Sequence, residues 1–121
     1  MTKSFILIIE DDPQLSQIFS VTLQSEFRIE TISDGNTALA RLAQATPDIV
    51  VLDLHLPGTS GKDILTFIRA EPRLEKCRVI LATADARQAD ALSDIADIVL
   101  LKPVSPVQLR EMAVRLRPAV P

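Results

Sequence analysis

The chain has 121 residues, of which 13 are Lys or Arg and 16 are Asp or Glu, so its formal charge at pH 7 is −3. This mildly acidic balance argues against a nucleic-acid-binding surface, which gathers Lys and Arg against phosphates, and the single Cys and single His exclude an internal disulfide and a zinc site of four such ligands. With 47% hydrophobic residues but no apolar segment near the roughly 20 residues that span a bilayer, the sequence predicts one folded cytoplasmic domain whose direct partners include neither a membrane nor a nucleic acid.

Five short segments rich in Ile, Val and Leu have the length of β-strands. They are residues 5–9, 27–32, 49–52, 79–82 and 98–101. Most of them are continuously apolar, which is typical of strands that are buried on both faces of a parallel sheet.

Between these segments the apolar residues recur with the period of a helix. The first helix is predicted to begin at Asp12 and Pro13, because Asp is a good N-cap and Pro is favoured in the first turn. Asp12 is therefore assigned to capping alone. Further helices are predicted after residues 34–35 and 60–61, and an Ala-rich segment, 84–93, predicts a short fourth helix. Four apolar residues share one face of the last predicted helix: Leu109, Met112, Ala113 and Leu116.

The alternation of strands and helices predicts an α/β fold, with a five-stranded parallel sheet and helices on both faces. The flavodoxin-like strand order 2-1-3-4-5 is the natural one for five strands, and it places a crevice at the carboxyl ends of strands one and three. We assign residues 1–117 to this domain and residues 118–121 to a C-terminal tail or the start of a linker.

Polar residues that can carry chemistry stand at the ends of four predicted strands. Glu10 and Asp11 follow the first strand, Asp53 follows the third, Thr83 ends the fourth and Lys102 follows the fifth. Parallel strands end at one edge, so the carboxylates repel one another unless a cation neutralises them, and all-oxygen ligation suits Mg²⁺. Taken singly, most of these residues also fit an ordinary helix start, strand end or surface turn. Asp53 is the unusual one, because an acid inside an apolar run is costly to bury unless it is paired or bound to metal.

These residues lie in four pieces of sequence that resemble the receiver domain of two-component response regulators, of the CheY-like superfamily. The pieces are residues 8–13, 50–58, 81–84 and 96–103, which read IIEDDP, VVLDLHLPG, LATA and ADIVLLKP. Together they span almost the whole chain, and their occurrence in this order is highly specific.

The resemblance implies that Asp53 accepts a phosphoryl group from a sensor histidine kinase or a phosphotransfer protein and becomes an aspartyl phosphate. It implies that Mg²⁺ is held by Asp11, Asp53 and the backbone carbonyl of His55, with Glu10 orienting the ion. The chain would then be a signalling domain that assists its own phosphorylation and dephosphorylation, and not an enzyme with a separate substrate.

The remaining site residues implied by the resemblance lie after the last two strands. Lys102 and the Thr83 hydroxyl would each contact a phosphoryl oxygen, and the small Ala84 would leave access to the site. The peptide bond between Lys102 and Pro103 would be cis. Movement of Thr83 towards the phosphoryl group would re-pack the neighbouring loops and form the switch.

Signal readout in this family uses the face formed by the fourth helix, the fifth strand and the last helix. That face would bind an unidentified downstream protein or output domain, or a second copy in a dimer, and five residues are expected on it: Val99, Val104, Pro106, Val107 and Arg110. Val99 departs from the family, which usually has an aromatic residue there. The usual coupling of that ring to Thr83 therefore cannot operate, and Val99 is read as a strand residue.

Three further side chains have alternative readings. His55 and Asp85 either pair across the mouth of the site and shield the phosphoryl group, or remain two exposed side chains that rarely touch. Cys77 is interpreted as a small packing residue and not as a redox sensor.

Two other functions share parts of the pattern. A receiver-like adaptor that works without phosphorylation would explain the missing aromatic residue. An aspartyl-nucleophile phosphatase of the haloacid dehalogenase kind also uses Asp and Mg²⁺ on a parallel sheet, but it needs a second acid where this chain has His55.

Overall fold

The computed structural model describes residues 3–118, in which strands and helices alternate. In chain order the elements are β1 (Ser4–Ile9), α1 (Pro13–Leu23), β2 (Phe27–Ile32), α2 (Gly35–Leu42), β3 (Ile49–Leu52), α3 (Gly61–Ala70), β4 (Arg78–Thr83), α4 (Ala86–Leu92), β5 (Ile98–Leu101) and α5 (Pro106–Leu116). A 3₁₀ turn, Pro72–Leu74, precedes β4. Within residues 3–118, no helix is both long enough and apolar enough to pass through a bilayer.

The five strands form one parallel sheet in the order β2-β1-β3-β4-β5, which confirms the predicted fold class. Ile9, the last residue of β1, lies between Ile32 and Leu52 of the neighbouring strands. The register therefore brings the residues that follow β1 and β3 to the same edge of the sheet. We call this the carboxyl edge, and the opposite one, where the strands begin, the amino edge.

Helices cover both faces of the sheet, because successive strand side chains point to opposite sides. Leu7 and Ile9 belong to a buried cluster with α2, α3 and α4, whereas Ile6 and Ile8 belong to a second cluster with α1 and α5. Both faces of β1 are thus fully buried, which explains its continuous apolar sequence.

Each helix begins at a residue whose side chain accepts a hydrogen bond from a backbone N–H of the first turn. The caps are Asp12, Asp34, Ser60, Asp85 and Ser105. Replacing such a cap by Ala typically costs about 1 kcal/mol. The prediction that Asp12 caps α1 is confirmed, and Pro13 is its first residue.

The element bounds differ little from the predicted ones. β4 extends one residue beyond the predicted segment at each end, from Arg78 to Thr83. The Ala-rich segment forms a helix of only 7 residues, Ala86–Leu92, which agrees with the short helix predicted there. Most of the segment assigned to a tail or linker, residues 119–121, lies outside the described residues.

The expected readout face requires a correction at Arg110. Arg110 Nε donates to Glu26 Oε2 at 3.1 Å, next to α1 and β2, and Val104 and Pro106 line a groove together with Leu15 of α1. The Arg110 side chain therefore lies beside α1, whereas the assignment of Val104 and Pro106 to the readout face stays a prediction. Burial of Leu109 and Ala113 fixes the rotation of α5 about its axis. This rotation sets the direction in which the neighbouring Arg110 side chain points.

Candidate functional site

Two buried carboxylates face each other at the carboxyl edge. Glu10 directly follows β1 and is 2% exposed, and Asp53 directly follows β3 and is 5% exposed. Their backbone N–H groups continue the sheet ladder, because Glu10 donates to Ile32 and Asp53 donates to Ile9, each at 3.0 Å. The strand register thus fixes both side chains beside each other.

Asp11 adds a third carboxylate from the exposed side of the same cluster. One carboxylate oxygen from each of Glu10, Asp11 and Asp53 lies within 4.8 Å of the others. Glu10 Oε1 is fully buried, and within the described residues its charged neighbour is the single ammonium of Lys102, which does not balance three carboxylates. Because a buried charge needs neutralisation, this set of hard oxygen ligands fits a divalent cation such as Mg²⁺.

Lys102 supplies the positive charge that the site contains. Its Nζ lies 2.8 Å from Glu10 Oε1 and 3.3 Å from Asp53 Oδ2, and its side chain is 19% exposed. Its backbone N–H donates to the Thr83 carbonyl at 2.9 Å, and its peptide bond to Pro103 is cis. The ammonium group of Lys102, which follows β5, therefore contacts the carboxylates that follow β1 and β3.

Burial and neighbouring charges perturb the titration of this group of residues. Burial raises the pKa of Glu10, although Lys102 and the N–H of Asp12 oppose that shift. Burial tends to lower the pKa of Lys102, but the Glu10 and Asp53 carboxylates outweigh it and raise that pKa. Lys102 therefore remains charged while it holds the two acids together.

Thr83 is fully buried at the end of β4, and its hydroxyl is part of the adjoining turn. Thr83 Oγ1 accepts from the Asp85 backbone N–H at 3.1 Å, with the exposed Ala84 between them. Thr83 thus lies at the same edge as the carboxylates while its oxygen stabilises the start of α4.

The two side chains with alternative readings, His55 and Asp85, are in contact. His55 Nε2 lies 3.0 Å from Asp85 Oδ2, and the His55 backbone N–H donates to Asp53 Oδ1 at 3.3 Å. The N–H of Gln88 and then His55 lower the pKa of Asp85. His55 remains 67% exposed, so the pair joins the β3–α3 and β4–α4 loops at the surface.

The loop after Asp53 is held by contacts that sequence reasoning missed. Asn36 Oδ1 accepts from the Thr59 backbone N–H at 3.1 Å and from its hydroxyl at 2.6 Å. The Gly35 N–H donates to the Pro57 carbonyl at 2.9 Å. The start of α2 thus supports the loop that positions His55.

Two glycines of this loop cannot be replaced without strain. Gly58 has a φ of +77°, which side chains with a Cβ rarely adopt. A Cβ on Gly61 would lie 2.1 Å from the Asp53 carbonyl oxygen. The glycines flanking residues 59 and 60 were the available sequence signal, because they mark a tight turn or a close backbone approach.

Val99 and Cys77 both lie in apolar surroundings. Val99 is half-buried against the cluster that contains Leu81 and Leu92. Cys77 is 4% exposed, and burial raises the pKa of its thiol to about 12. The reading of Cys77 as a packing residue agrees with this environment, since the thiolate is the reactive form.

Comparison with known sequences identifies the family. A family model described as the response regulator receiver domain matches residues 6–114. MtrA of Mycolicibacterium smegmatis, a DNA-binding response regulator, is 33% identical over 116 residues, covering 93% of this chain and 48% of MtrA. The phosphate regulon transcriptional regulatory protein PhoB of Rhizobium meliloti is 32% identical over 121 residues, covering 96% and 53%. The chain thus spans about half the length of the curated relatives it matches.

A solved receiver-domain structure has the same fold as this chain. The BeF3-activated receiver domain of DrrB, a Thermotoga maritima protein, has a TM-score of 0.85 and 27% identity to this chain, covering 95% of it and 97% of that domain. Together with the parallel sheet and its acidic carboxyl edge, these similarities show that the chain belongs to the receiver domain family of two-component response regulators, with a CheY-like fold.

Proposed function

We propose that this receiver domain takes a phosphoryl group onto Asp53 in a Mg²⁺-dependent reaction and changes conformation to signal to a partner. The observation that carries the proposal is the grouping of Glu10, Asp11 and Asp53, whose oxygens lie within 4.8 Å, around the Lys102 ammonium. A buried carboxylate beside a fixed cation and a set of metal ligands suits phosphoryl transfer, which depends on positioning and charge.

Asp11, Asp53 and the backbone carbonyl of His55 would hold the Mg²⁺ ion, with Glu10 orienting it. When bound, the ion supplies positive charge against the phosphoryl oxygens. The exposure of Asp11 and the hydrogen bond from the His55 N–H to Asp53 Oδ1 favour this assignment. Both observations support a metal position at the open side of the carboxyl edge.

In the transfer step, an Asp53 carboxylate oxygen attacks the phosphorus of a phosphohistidine on a sensor kinase or phosphotransfer protein. A P–O bond forms and the P–N bond breaks, and its electron pair stays on the imidazole nitrogen, which then takes up a proton. The Lys102 ammonium moves from Glu10 and Asp53 towards a phosphoryl oxygen, where its charge is more strongly attracted. The Thr83 hydroxyl donates to another phosphoryl oxygen.

The proposed conformational change begins with the hydrogen bond that the Thr83 hydroxyl makes in this structure. Its hydroxyl accepts from the Asp85 N–H, so turning it towards the phosphoryl group removes a bond that holds the start of α4. Since α4 has only 7 residues, this loss affects a large part of the helix. We therefore place the conformational change in the β4–α4 loop and α4, which needs no aromatic residue at position 99.

Signal output uses apolar surface near β5 and α5. Ile95, Leu101 and Val107 are among the exposed large hydrophobic residues, and they stand before β5, at its end and at the start of α5. We propose that this surface binds the downstream protein, an output domain or a second receiver. MtrA is named as a DNA-binding regulator, which favours an output domain as the recipient of the signal.

Two rivals remain distinguishable by experiment. The first is an adaptor that works without phosphorylation, which the absence of an aromatic residue at position 99 favours. A haloacid dehalogenase-like phosphatase is disfavoured by His55, which stands two residues after Asp53 and contacts Asp85.

Intact mass spectrometry tests the proposed function. The parent and Asp53→Ala are incubated with Mg²⁺ and a small-molecule phosphodonor, with an EDTA-treated parent as a second control. We expect one added phosphoryl group on the parent and none on either control. An unmodified parent that is folded and binds Mg²⁺ would contradict the proposal and favour the adaptor.

A further inference from the structure

The amino edge contains a second concave site, far from the acidic cluster. A cavity of about 840 Å³ lies between residues 46–48, residues 73–78 and residues 115–118, and we call it the amino-edge pocket. The first two segments precede β3 and β4, and the third is the end of α5. β4 has six residues, so about 20 Å of strand separates this pocket from the carboxyl edge.

The pocket gathers positive charge that the linear sequence does not show as a cluster. Five cationic residues line it: Arg73, Lys76, Arg78, Arg115 and Arg117. Within residues 3–118 the one acid that lines it is Asp48, and Asp48 Oδ2 is already the acceptor for the Phe5 N–H at 2.7 Å. The cations come from two segments about 40 residues apart, one leading into the start of β4 and one at the end of α5, and folding brings them to one cavity.

Most of this charge is not neutralised inside the protein. Lys76, Arg115 and Arg117 make no ion pair with a carboxylate within residues 3–118. Arg78 Nη1 lies 3.2 Å from Asp97 Oδ1. Arg73 donates to the backbone carbonyls of Ala45, at 2.8 Å, and Leu42, so its charge has no anionic partner there either.

The walls of the pocket are well supported. The two carbonyl bonds fix the Arg73 guanidinium against the end of α2. Behind the pocket, Arg69 donates to the Cys77 carbonyl at 2.8 Å and to Asp97 Oδ2 at 2.7 Å. Leu74 and Cys77 are buried and form an apolar floor. The cations therefore surround a preformed surface.

We propose that the amino-edge pocket binds a small phosphate-bearing polyanion of nucleotide or polyphosphate size. Its volume lies in the range of roughly 300–1,000 Å³ that small-molecule sites occupy. Guanidinium groups match phosphate oxygens with two parallel N–H donors, and the Arg115 and Arg117 guanidinium groups have no competing carboxylate within residues 3–118. The acids of the carboxyl edge lie beyond the screening length of about 8 Å at physiological ionic strength, so they do not repel such a ligand.

NMR titration without Mg²⁺ tests this proposal, using pyrophosphate and ADP as probes and acetate as an anion of low charge. We expect saturable amide shifts confined to residues 46–48, 73–78 and 115–118 with both phosphate probes. Tighter binding of ADP than of pyrophosphate assigns the site to a nucleotide that also contacts the apolar floor, and equal binding assigns it to the phosphates alone. Absence of saturation, or equal shifts with acetate, overturns the proposal.

A matched pair of double variants separates the pocket from the general charge of the protein. Arg115→Gln with Arg117→Gln removes two cations from the pocket, and Lys62→Gln with Arg87→Gln removes two exposed cations outside it. We expect at least about tenfold weaker pyrophosphate binding in the first variant, which corresponds to 1.4 kcal/mol, and parent-like binding in the second. Equal weakening in both would show only non-specific attraction and overturn the proposal. All four substituted side chains are exposed, and circular dichroism checks that both variants fold.

Discussion

The two edges of the sheet collect charge of opposite sign in different ways. At the carboxyl edge, Glu10 and Asp53 are buried and share one cation, Lys102. At the amino edge, the cations of the pocket are exposed, and several have no charged partner in the part of the chain that the structure describes. A buried group is sensitive to the loss of one partner, whereas an exposed one is screened by water and salt. We therefore expect single substitutions at the carboxyl edge to have large effects and those at the amino-edge pocket to act through ligand binding.

The largest effect should come from Lys102→Met. This change leaves Glu10 and Asp53 facing each other without their shared ammonium, and it removes a charge from the proposed transfer step. We expect the rate of phosphoryl uptake to fall about 100-fold, as when one preorganised electrostatic donor is lost. Time-resolved intact mass spectrometry measures the rate. An unchanged rate would mean that Lys102 only neutralises the acids.

At the amino edge, Asp97 is the residue whose loss should matter most for stability. It is half-buried, and its Oδ2 accepts from Arg69 and from the Val79 N–H, each at 2.7 Å. Asp97→Ala leaves those donors without their acceptor and should cost about 2 kcal/mol of unfolding free energy.

Urea denaturation measures this loss, and Asp94→Ala provides the control because Asp94 is exposed nearby. A surface change of that kind should stay within about 0.5 kcal/mol of the parent. If the two variants had the same unfolding free energy, the hydrogen bonds of Asp97 behind the amino-edge pocket would contribute nothing to stability. The expected difference between buried and exposed charges would then not hold at the amino edge.

Asp11 and Asp12 provide an internal comparison at the carboxyl edge. Asp11 belongs to the oxygen cluster, whereas Asp12 caps α1 through the N–H groups of Gln14 and Leu15. Asp11→Asn should weaken Mg²⁺ binding about tenfold, or 1.4 kcal/mol, while Asp12→Asn should leave it unchanged because Asn is an equally good N-cap. Calorimetric titration with Mg²⁺ compares them. Equal losses of affinity would show that only the net charge of this edge attracts the ion.

The smallest effect should come from the pair of His55 and Asp85. Their contact is at the surface, so its strength is that of an exposed pair, about 0.2–1 kcal/mol. We expect His55→Ala to shorten the half-life of the aspartyl phosphate by about 1.4-fold to fivefold, the rate equivalent of that energy. Acid-quenched samples followed by mass spectrometry give the half-life. Identical half-lives would leave the pair without a role in shielding the phosphoryl group.

The sequence predicted the carboxyl edge well because its residues directly follow strands. Glu10, Asp53 and Lys102 each stand one position after an apolar run, and parallel topology then brings them together. The N-cap of α1 was predictable for the same reason, since Asp12 and Pro13 are adjacent in the chain.

Other features depend on contacts between residues that are distant in the sequence. The bond between Asn36 and Thr59 joins residues 23 positions apart, and the amino-edge pocket joins three separate segments. Arg110 was assigned to the wrong face because its direction depends on how α5 rotates to bury Leu109. No local pattern encodes these arrangements, because they follow from packing.

Chemical trapping of the modified residue tests the central claim most directly. After incubation with Mg²⁺ and a phosphodonor, borohydride reduction converts an aspartyl phosphate to homoserine, and peptide mass spectrometry locates it. We expect homoserine at position 53 alone, with Asp11 and Asp12 unmodified in the same digest. Homoserine at another acid, or a phosphoryl group that resists reduction, would contradict the assignment of Asp53 as the phosphoacceptor.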